Sequence, residues 1–303
     1  MNIILLLNND IASNFALNLL LPALQQHTVS VFLSSKVGGN KARPRLLQGL
    51  AQFEQQDAFL ALSSQKTSSS AKHFKSYDDL ASEYGIKIET LNEINTESGV
   101  AKIQALSPDI IISIRYGVIL QKPVIDIAKY GVINLHSGKL PDYRGVMATF
   151  WAMLNGDKTL AATLHYISDN TIDTGEIIAD STINVQAEKS YLWHVLSLYI
   201  GGCKLIEQAI NTINVKSSGE VNSIKKGISK AASLGSVKES AKAKVNTKAV
   251  IEGTEQLTKG QYYSFPSSEE LAVFTEKFGD LYQANEIVAL LSESLIYACK
   301  ETF

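Results

Sequence analysis

Cysteine is nearly absent. Cys203 and Cys299 are the only two in 303 residues. They stand far apart without metal-ligand spacing, which excludes a disulfide-stapled secreted scaffold and reads as free thiols in a reducing compartment. An excess of one charge is lacking too. Lys plus Arg number 28 against 30 Asp plus Glu, a net charge of −2, so no bulk attraction to nucleic acid or an anionic membrane is expected. No apolar run approaches the ~20 residues of a membrane span. The first apolar run, Ile3 to Leu7, is too short for a secretory signal core and has no basic residue before it. The turn after it, Asn8-Asn9-Asp10, lacks G-x-G-x-x-G, which argues against a dinucleotide cofactor. The expectation is a soluble cytoplasmic protein that does not associate with membranes.

What is present alternates between strand and helix patterns. Ile3 to Leu7 reads as a strand buried on both faces. Ile11 to Leu24 has helical spacing behind a capping Asp10, and Thr28 to Leu33 is a second strand. Helices are expected over Arg43 to Leu62, Asp78 to Tyr84 and Ser98 to Leu106, and strands over Ile86 to Leu91 and Pro108 to Ile114. Between the first helical stretch and the next, Gln65 to Ser70 is a Ser-rich loop. This rhythm predicts an α/β fold, a doubly wound, Rossmann-like and mostly parallel sheet. Further strands are expected over Leu160 to Ile167 and Glu176 to Ile183, and a long amphipathic helix over Tyr191 to Ile213, with His194 on its face. The organisation expected is a main domain over 1–214, a linker or surface excursion over 215–248, and a smaller, mainly helical C-terminal extension over 249–303.

The chemistry concentrates in Gly131 to Gly145, GVINLHSGKLPDYRG. Val132, Ile133 and Leu135 make a buried strand that stops at Ser137-Gly138, and Pro141, Asp142 and Gly145 mark a loop. Asn134 and His136 are two apart, so on a strand they share a face. A second stretch, Ile172-Asp173-Thr174-Gly175-Glu176-Ile177-Ile178, puts a carboxylate at a turn before an apolar run. The Asn134 amide can donate to an oxygen gaining negative charge. His136 can donate or move a proton near neutrality. Asp173 can orient the imidazole, stabilise its charged form or accept a proton through water. No activated Ser or Cys belongs to the set, which favours direct attack of a substrate nucleophile on a carbonyl over a covalent enzyme intermediate. Taken singly, a capping Asn, a satisfied core His and a turn Asp are the structural alternative.

N-x-H, then L-P-x-Y-R-G, then I-D-T-G-x-I-I about thirty residues on resembles the folate-dependent formyltransferase family. That family includes methionyl-tRNA, glycinamide ribonucleotide and sugar N-formyltransferases. The resemblance is strong over Pro108 to Ile183. It implies 10-formyltetrahydrofolate as donor, a primary amine as acceptor, no metal, and Asn134, His136 and Asp173 as the catalytic trio. It also implies that the loop Arg115, Tyr116, Gly117, Val118, Ile119, Leu120 presents backbone groups to the pterin. Arg115 can instead be a solvated charge or an ion-pair partner. The chain departs from the common H-x-S-L-L-P at Gly138 and Lys139, on the acceptor-side loop. Tyr143-Arg144-Gly145 is expected to open a helix over Val146 to Leu154. Arg144 could hold an anionic part of a substrate or pair with a carboxylate, and His165 could contact substrate or support the trio.

The acceptor is the open question. The first loop lacks the glycine-rich phosphate loop of glycinamide ribonucleotide formyltransferases. Ala249 to Phe303 carries three Lys, no Arg and nine acidic residues, unlike a phosphate-binding domain for tRNA, and the strand pattern expected of a second β domain is missing. Lys216 to Lys248, with eight Lys against two Glu, cuts the other way and keeps tRNA open. The expected acceptor is a small amine, such as an amino sugar on a nucleotide. The alternatives are methionyl-tRNA formyl transfer, formyltetrahydrofolate hydrolysis, or a non-catalytic folate-binding module. The run Tyr262-Tyr263-Ser264-Phe265-Pro266 is either a packing patch or a wall of the acceptor pocket. Sequence is silent on oligomeric state.

Overall fold

The computed structural model describes residues 1–35, 42–63, 74–217, 251–257 and 259–298. The Ser-rich loop over Gln65 to Ser70, nearly all of the Lys-rich stretch and Cys299 lie outside them.

Strand β1 (Asn2–Asn8) joins β2 (Thr28–Ser34), β3 (Lys87–Thr90), β4 (Ile110–Ile114), β5 (Val132–His136), β7 (Thr159–Ile167) and β8 (Ile177–Asn184) in one seven-stranded sheet. The order is β3-β2-β1-β4-β5-β7-β8. Strands β1 to β5 are parallel, whereas β7 runs antiparallel to β5 and β8 antiparallel to β7. The sheet is therefore mixed at one edge. β1 is flanked by β2 on one side and β4 on the other, so the chain reverses direction across the sheet there. A crevice opens at such a switch point, outside the carboxyl ends of the strands.

Alternation along β1 splits the interior. Ile3, Leu5 and Leu7 face one core and Ile4 and Leu6 the other, as the two-residue period of a strand requires. The larger core holds helices α1 (Ile11–Leu20), α2 (Arg45–Gln52), α3 (Ala58–Ser63), α4 (Tyr77–Tyr84), α7 (Ala148–Asn155) and α8 (Tyr191–Ser217). The smaller core holds α5 (Glu97–Ala105) and α6 (Lys122–Ile125). Helices on both faces make the fold doubly wound. α9 (Ser268–Phe278) and α10 (Ala284–Ala298) bury Leu271, Phe274, Ile287 and Leu291 in the same core as α1 and α8.

Several local expectations change. Tyr143–Gly145 does not open a helix. It is a short strand, β6, paired in parallel with β9 (Gln261–Tyr263). α7 begins only after Met147, whose φ of 57° is left-handed and breaks the helix. The stretch over Arg43 to Leu62 is interrupted by a π-helical turn, Phe53–Asp57, of the kind that clusters at functional sites. His194 sits on the inward face of α8. It is fully buried, with Nδ1 against Ser190 O at 2.8 Å and Nε2 accepting from the Gln186 amide at 3.0 Å. Cys203 is free and buried, and burial pushes its thiol up. Among the described residues no helix is long and apolar enough to cross a membrane.

Candidate active site

A cavity of about 700 Å³ opens at the carboxyl edge of the sheet, bordered by Asn134, His136 and Asp173 together with Asp10, Arg115 to Leu120 and Tyr262. The three groups arrive from different elements. Asn134 lies mid-way along β5 and His136 ends it, and Asp173 sits in the turn before β8.

His136 is held through Nε2, 2.7 Å from Tyr143 O. A carbonyl oxygen only accepts, so Nε2 carries the proton. Nδ1 lies 3.5 Å from Asp173 Oδ2, too far for a committed hydrogen bond, and is the ring atom left for chemistry. Gly138 permits this geometry. A Cβ there would stand 2.7 Å from His136 Nε2 and 2.3 Å from Ala148 Cβ. Thr163, across the strand pair from His136, braces the same loop: its hydroxyl donates to Gly138 O at 2.8 Å.

Asn134 pairs in register with His165 on β7, and its Nδ2 lies 3.0 Å from His165 Nε2. His165 Nδ1 is 2.8 Å from Tyr166 O, which places that ring proton on Nδ1 and leaves Nε2 to accept from the amide. The ladder between β7 and β8 slips at Leu164/His165, a bulge next to the site. His165 is buried.

Asp173 faces both imidazoles, with Oδ1 3.5 Å from His165 Nε2 and Oδ2 3.5 Å from His136 Nδ1. The Gly145 amide donates to Oδ2 at 2.8 Å. Burial alone would raise its carboxyl. The His136 charge and the Gly145 amide, with His165 adding its pull when that ring is charged, outweigh it and hold the group at about 2. Its backbone is left-handed, with φ of 55°, as are Arg115 at 59° and Met147 at 57°. All three border the cavity, and non-glycine residues in this region mark strain kept by the surrounding structure.

Arg115 and the five residues after it part company. The Arg115 guanidinium reaches Asp10 Oδ2 at 2.9 Å from Nε and Glu54 Oε1 at 2.7 Å from Nη2, so it is an ion-pair partner. Burial opposes its charge, but the two carboxylates more than offset that. Burial pushes Glu54, on the π-helical turn, up to about 7 against the pull of Arg115. Tyr116, Val118 and Leu120 pack instead against the smaller core. The Gly117 amide donates to Ser34 Oγ at 2.8 Å, Asn95 donates to Ile119 O at 2.8 Å, and the Tyr116 hydroxyl donates to Leu91 O. Ile119 stays exposed at the cavity edge.

Arg144 has no carboxylate partner among the described residues and does not border the cavity. Its Nε and Nη2 donate to Gln256 Oε1 at 3.2 and 2.5 Å. Alternation on β9 separates Tyr262 from Tyr263, and Phe265 lies beyond the strand. Tyr263 stacks on Trp151 and Tyr143 at centroid distances of 5.0 and 5.5 Å, while Tyr262, 54% exposed, and Phe265 line the cavity. Gly145, at φ 97°, lets Tyr262 lie close, since a Cβ there would be 2.9 Å from Tyr262 Cε2. Sequence reasoning missed Gln256 and the Asp10–Arg115–Glu54 cluster. Both depend on pairings across long sequence separations with no spacing signal.

A family model described as formyl transferase matches residues 14–192. A methionyl-tRNA formyltransferase of Thermodesulfovibrio yellowstonii is 32% identical over 132 residues, 44% of this chain and 42% of that protein. One of Clostridium novyi is 36% identical over 132 residues, 43% and 41% of the two chains. The matched stretch thus spans less than half the length of these curated relatives. Among solved structures, a sugar N-formyltransferase from a Shewanella species aligns with a TM-score of 0.49 at 13% identity, covering 91% of this chain and 88% of that one. An N-formyltransferase from Helicobacter canadensis, in complex with folinic acid and dTDP-3-aminofucose, aligns with a TM-score of 0.49 at 15% identity, covering 92% and 80%.

Proposed function

Because the chain belongs to the formyl transferase family, we propose that it moves a formyl group from 10-formyltetrahydrofolate to a primary amine of a small acceptor. The observation that carries this is the meeting of Asn134, His136 and Asp173 at one cavity, with a single carboxylate serving two imidazoles. The donor supplies a carbonyl carbon already bonded to nitrogen. The acceptor amine attacks that carbon, and the bond to the folate nitrogen breaks. Asn134, oriented by His165, donates to the carbonyl oxygen as it gains negative charge. His136 Nδ1 donates to the same oxygen and returns a proton to the leaving nitrogen. Asp173, ionised throughout the neutral range, supports the charged imidazole and takes the proton of the attacking amine through water.

The cavity suits the donor on physical grounds. The loop over Tyr116 to Leu120 offers an apolar wall of Val118, Ile119 and Leu120, with Ile167 and Ile172 also bordering the cavity. A flat heterocycle fits such a wall, and backbone groups outside the sheet can read its edge.

A nucleotide-linked amino sugar is the acceptor we favour. The acidic composition of Ala249 to Phe303 is unfavourable to tRNA phosphates, while Tyr262 and Phe265 offer aromatic faces at the cavity. The curated relatives named as methionyl-tRNA formyltransferases make initiator tRNA the second reading. The test offers the protein 10-formyltetrahydrofolate with nucleotide-linked amino sugars, charged initiator tRNA, or water alone, and follows tetrahydrofolate formation. Turnover on a member of the sugar panel is expected. Efficient tRNA formylation with no turnover on any small amine overturns the acceptor, and release of formate in water at the same rate overturns the transferase.

A further inference from the structure

We propose that Gln256 is a positioning residue for the reaction, holding the left-handed turn that aims the Asp173 carboxylate at both imidazoles. This rests on the reading of Asp173 as the carboxylate of the site.

Asp173 at φ 55° occupies left-handed backbone, which is disfavoured for residues other than glycine. Something outside the turn must hold it. Gln256 Nε2 donates to Asp173 O at 3.0 Å and to Gly175 O at 2.7 Å. Its two protons are thereby spent on the two carbonyls that bracket the turn. Its Oε1 accepts from Arg144 Nε and Nη2, so the amide can take only one orientation. Arg144 is followed by Gly145, whose amide donates to Asp173 Oδ2. The hydrogen bonds therefore close a ring from the carboxylate through Gly145, Arg144 and Gln256 to the backbone of Asp173 itself.

The segment carrying Gln256 is fixed independently. Thr254 and Ile177 exchange backbone hydrogen bonds of 2.8 and 2.7 Å, and the Tyr166 hydroxyl donates to Ile251 O at 3.0 Å. Gln256 thus reaches the turn from a rigid support. Without it two carbonyls lose their donor, the turn relaxes towards right-handed backbone, and the carboxylate leaves its place between the imidazoles. Among the described residues the hydrogen bonds of the donor-binding loop over Tyr116 to Leu120 go to Ser34, Leu91 and Asn95 rather than to this ring, so the effect falls on kcat.

The experiment compares Gln256→Leu, similar in volume without hydrogen bonds, and Gln256→Glu, which accepts from Arg144 but cannot donate to the carbonyls. Each is made in the wild-type and in the Asp173→Asn background. In the wild-type background kcat is expected to fall on the order of tenfold to a hundredfold, with the KM for 10-formyltetrahydrofolate little changed. In the Asp173→Asn background the same changes should alter kcat by less than about twofold, because residues that act through one group are not additive. Single-turnover mixing keeps the slow variants measurable. Equal losses in both backgrounds, a loss confined to KM, or a wild-type kcat overturns the role of Gln256. A wild-type rate in Asp173→Asn alone would instead remove Asp173 from the reaction.

Discussion

Asn134 Nδ2 lies 3.0 Å from His165 Nε2 across the β5–β7 pair, so one buried imidazole sets the orientation of the amide beside the cavity. The ring is itself pinned by Tyr166 O. Asn134→Ala is expected to reduce kcat about a hundredfold or more, the usual effect of removing an oxyanion donor. His165→Phe should lose part of that through Asn134. Steady-state kinetics of the two singles and the double decide it, with the double close to Asn134→Ala.

Asp173 gives stability a defined pH dependence. Its carboxyl is held at about 2, below the ordinary 3.8, chiefly by His136 against the opposing effect of burial. A depressed carboxylate stabilises the fold above its unfolded pKa and loses that contribution as pH falls through the folded one. The window is therefore from about pH 4 down to about pH 2, and the contribution is on the order of 2 kcal/mol. Denaturant midpoints at pH 6 and pH 3 should converge between wild type and Asp173→Asn as the solution is acidified.

Gly138 has no room for a side chain. Its Cβ would meet Ala148 Cβ and His136 Nε2, and overpacking of this kind costs typically ~1–3 kcal/mol. Gly138→Ala is expected to lower Tm and kcat together. An unchanged kcat would mean that the His136 ring yields without losing its alignment.

Tyr262→Ala tests the acceptor reading. An exposed ring stacking on a base contributes about 1–3 kcal/mol, so the KM for a nucleotide-linked amino sugar should rise about tenfold or more. The same sugar without its nucleotide should be unaffected, and Tm should hold. Equal KM changes for both acceptors would place the base elsewhere.

Ser197 on α8 is buried and its hydroxyl has no hydrogen-bond partner among the described residues. Ser197→Ala removes that orphan and improves helix propensity by roughly half a kcal/mol. A modest rise in Tm, read by differential scanning calorimetry, is expected.

The strands, the helices on both faces and the convergence of Asn134 with His136 were legible because each rests on a local signal: apolar runs of strand length, helical spacing behind Asp10, a two-residue period. The burial of His194 was not, since burial on a helix depends on what packs against it, here Gln186 and Ser190. β6 was not legible either. Three residues of strand carry no periodicity, and their partner Gln261–Tyr263 lies beyond a stretch of different composition. The Arg115 side chain needed Asp10 and Glu54 to place it, and Glu54 reaches it from a π-helical turn that no propensity marks.

The separation of Asp173 and Gln256 by 83 residues also sets an order in time. At ribosomal rates of about 5–20 residues per second, Asp173 exists for roughly 4–16 seconds before Gln256 is polymerised. During that interval the parallel strands can already pair and the Gly145 amide is present, but the donors that Gln256 brings to Asp173 O and Gly175 O are not. On the proposed role of Gln256, the carboxylate takes its place between the imidazoles only after the segment that carries Gln256 has emerged, so the strands are built before the site is aligned.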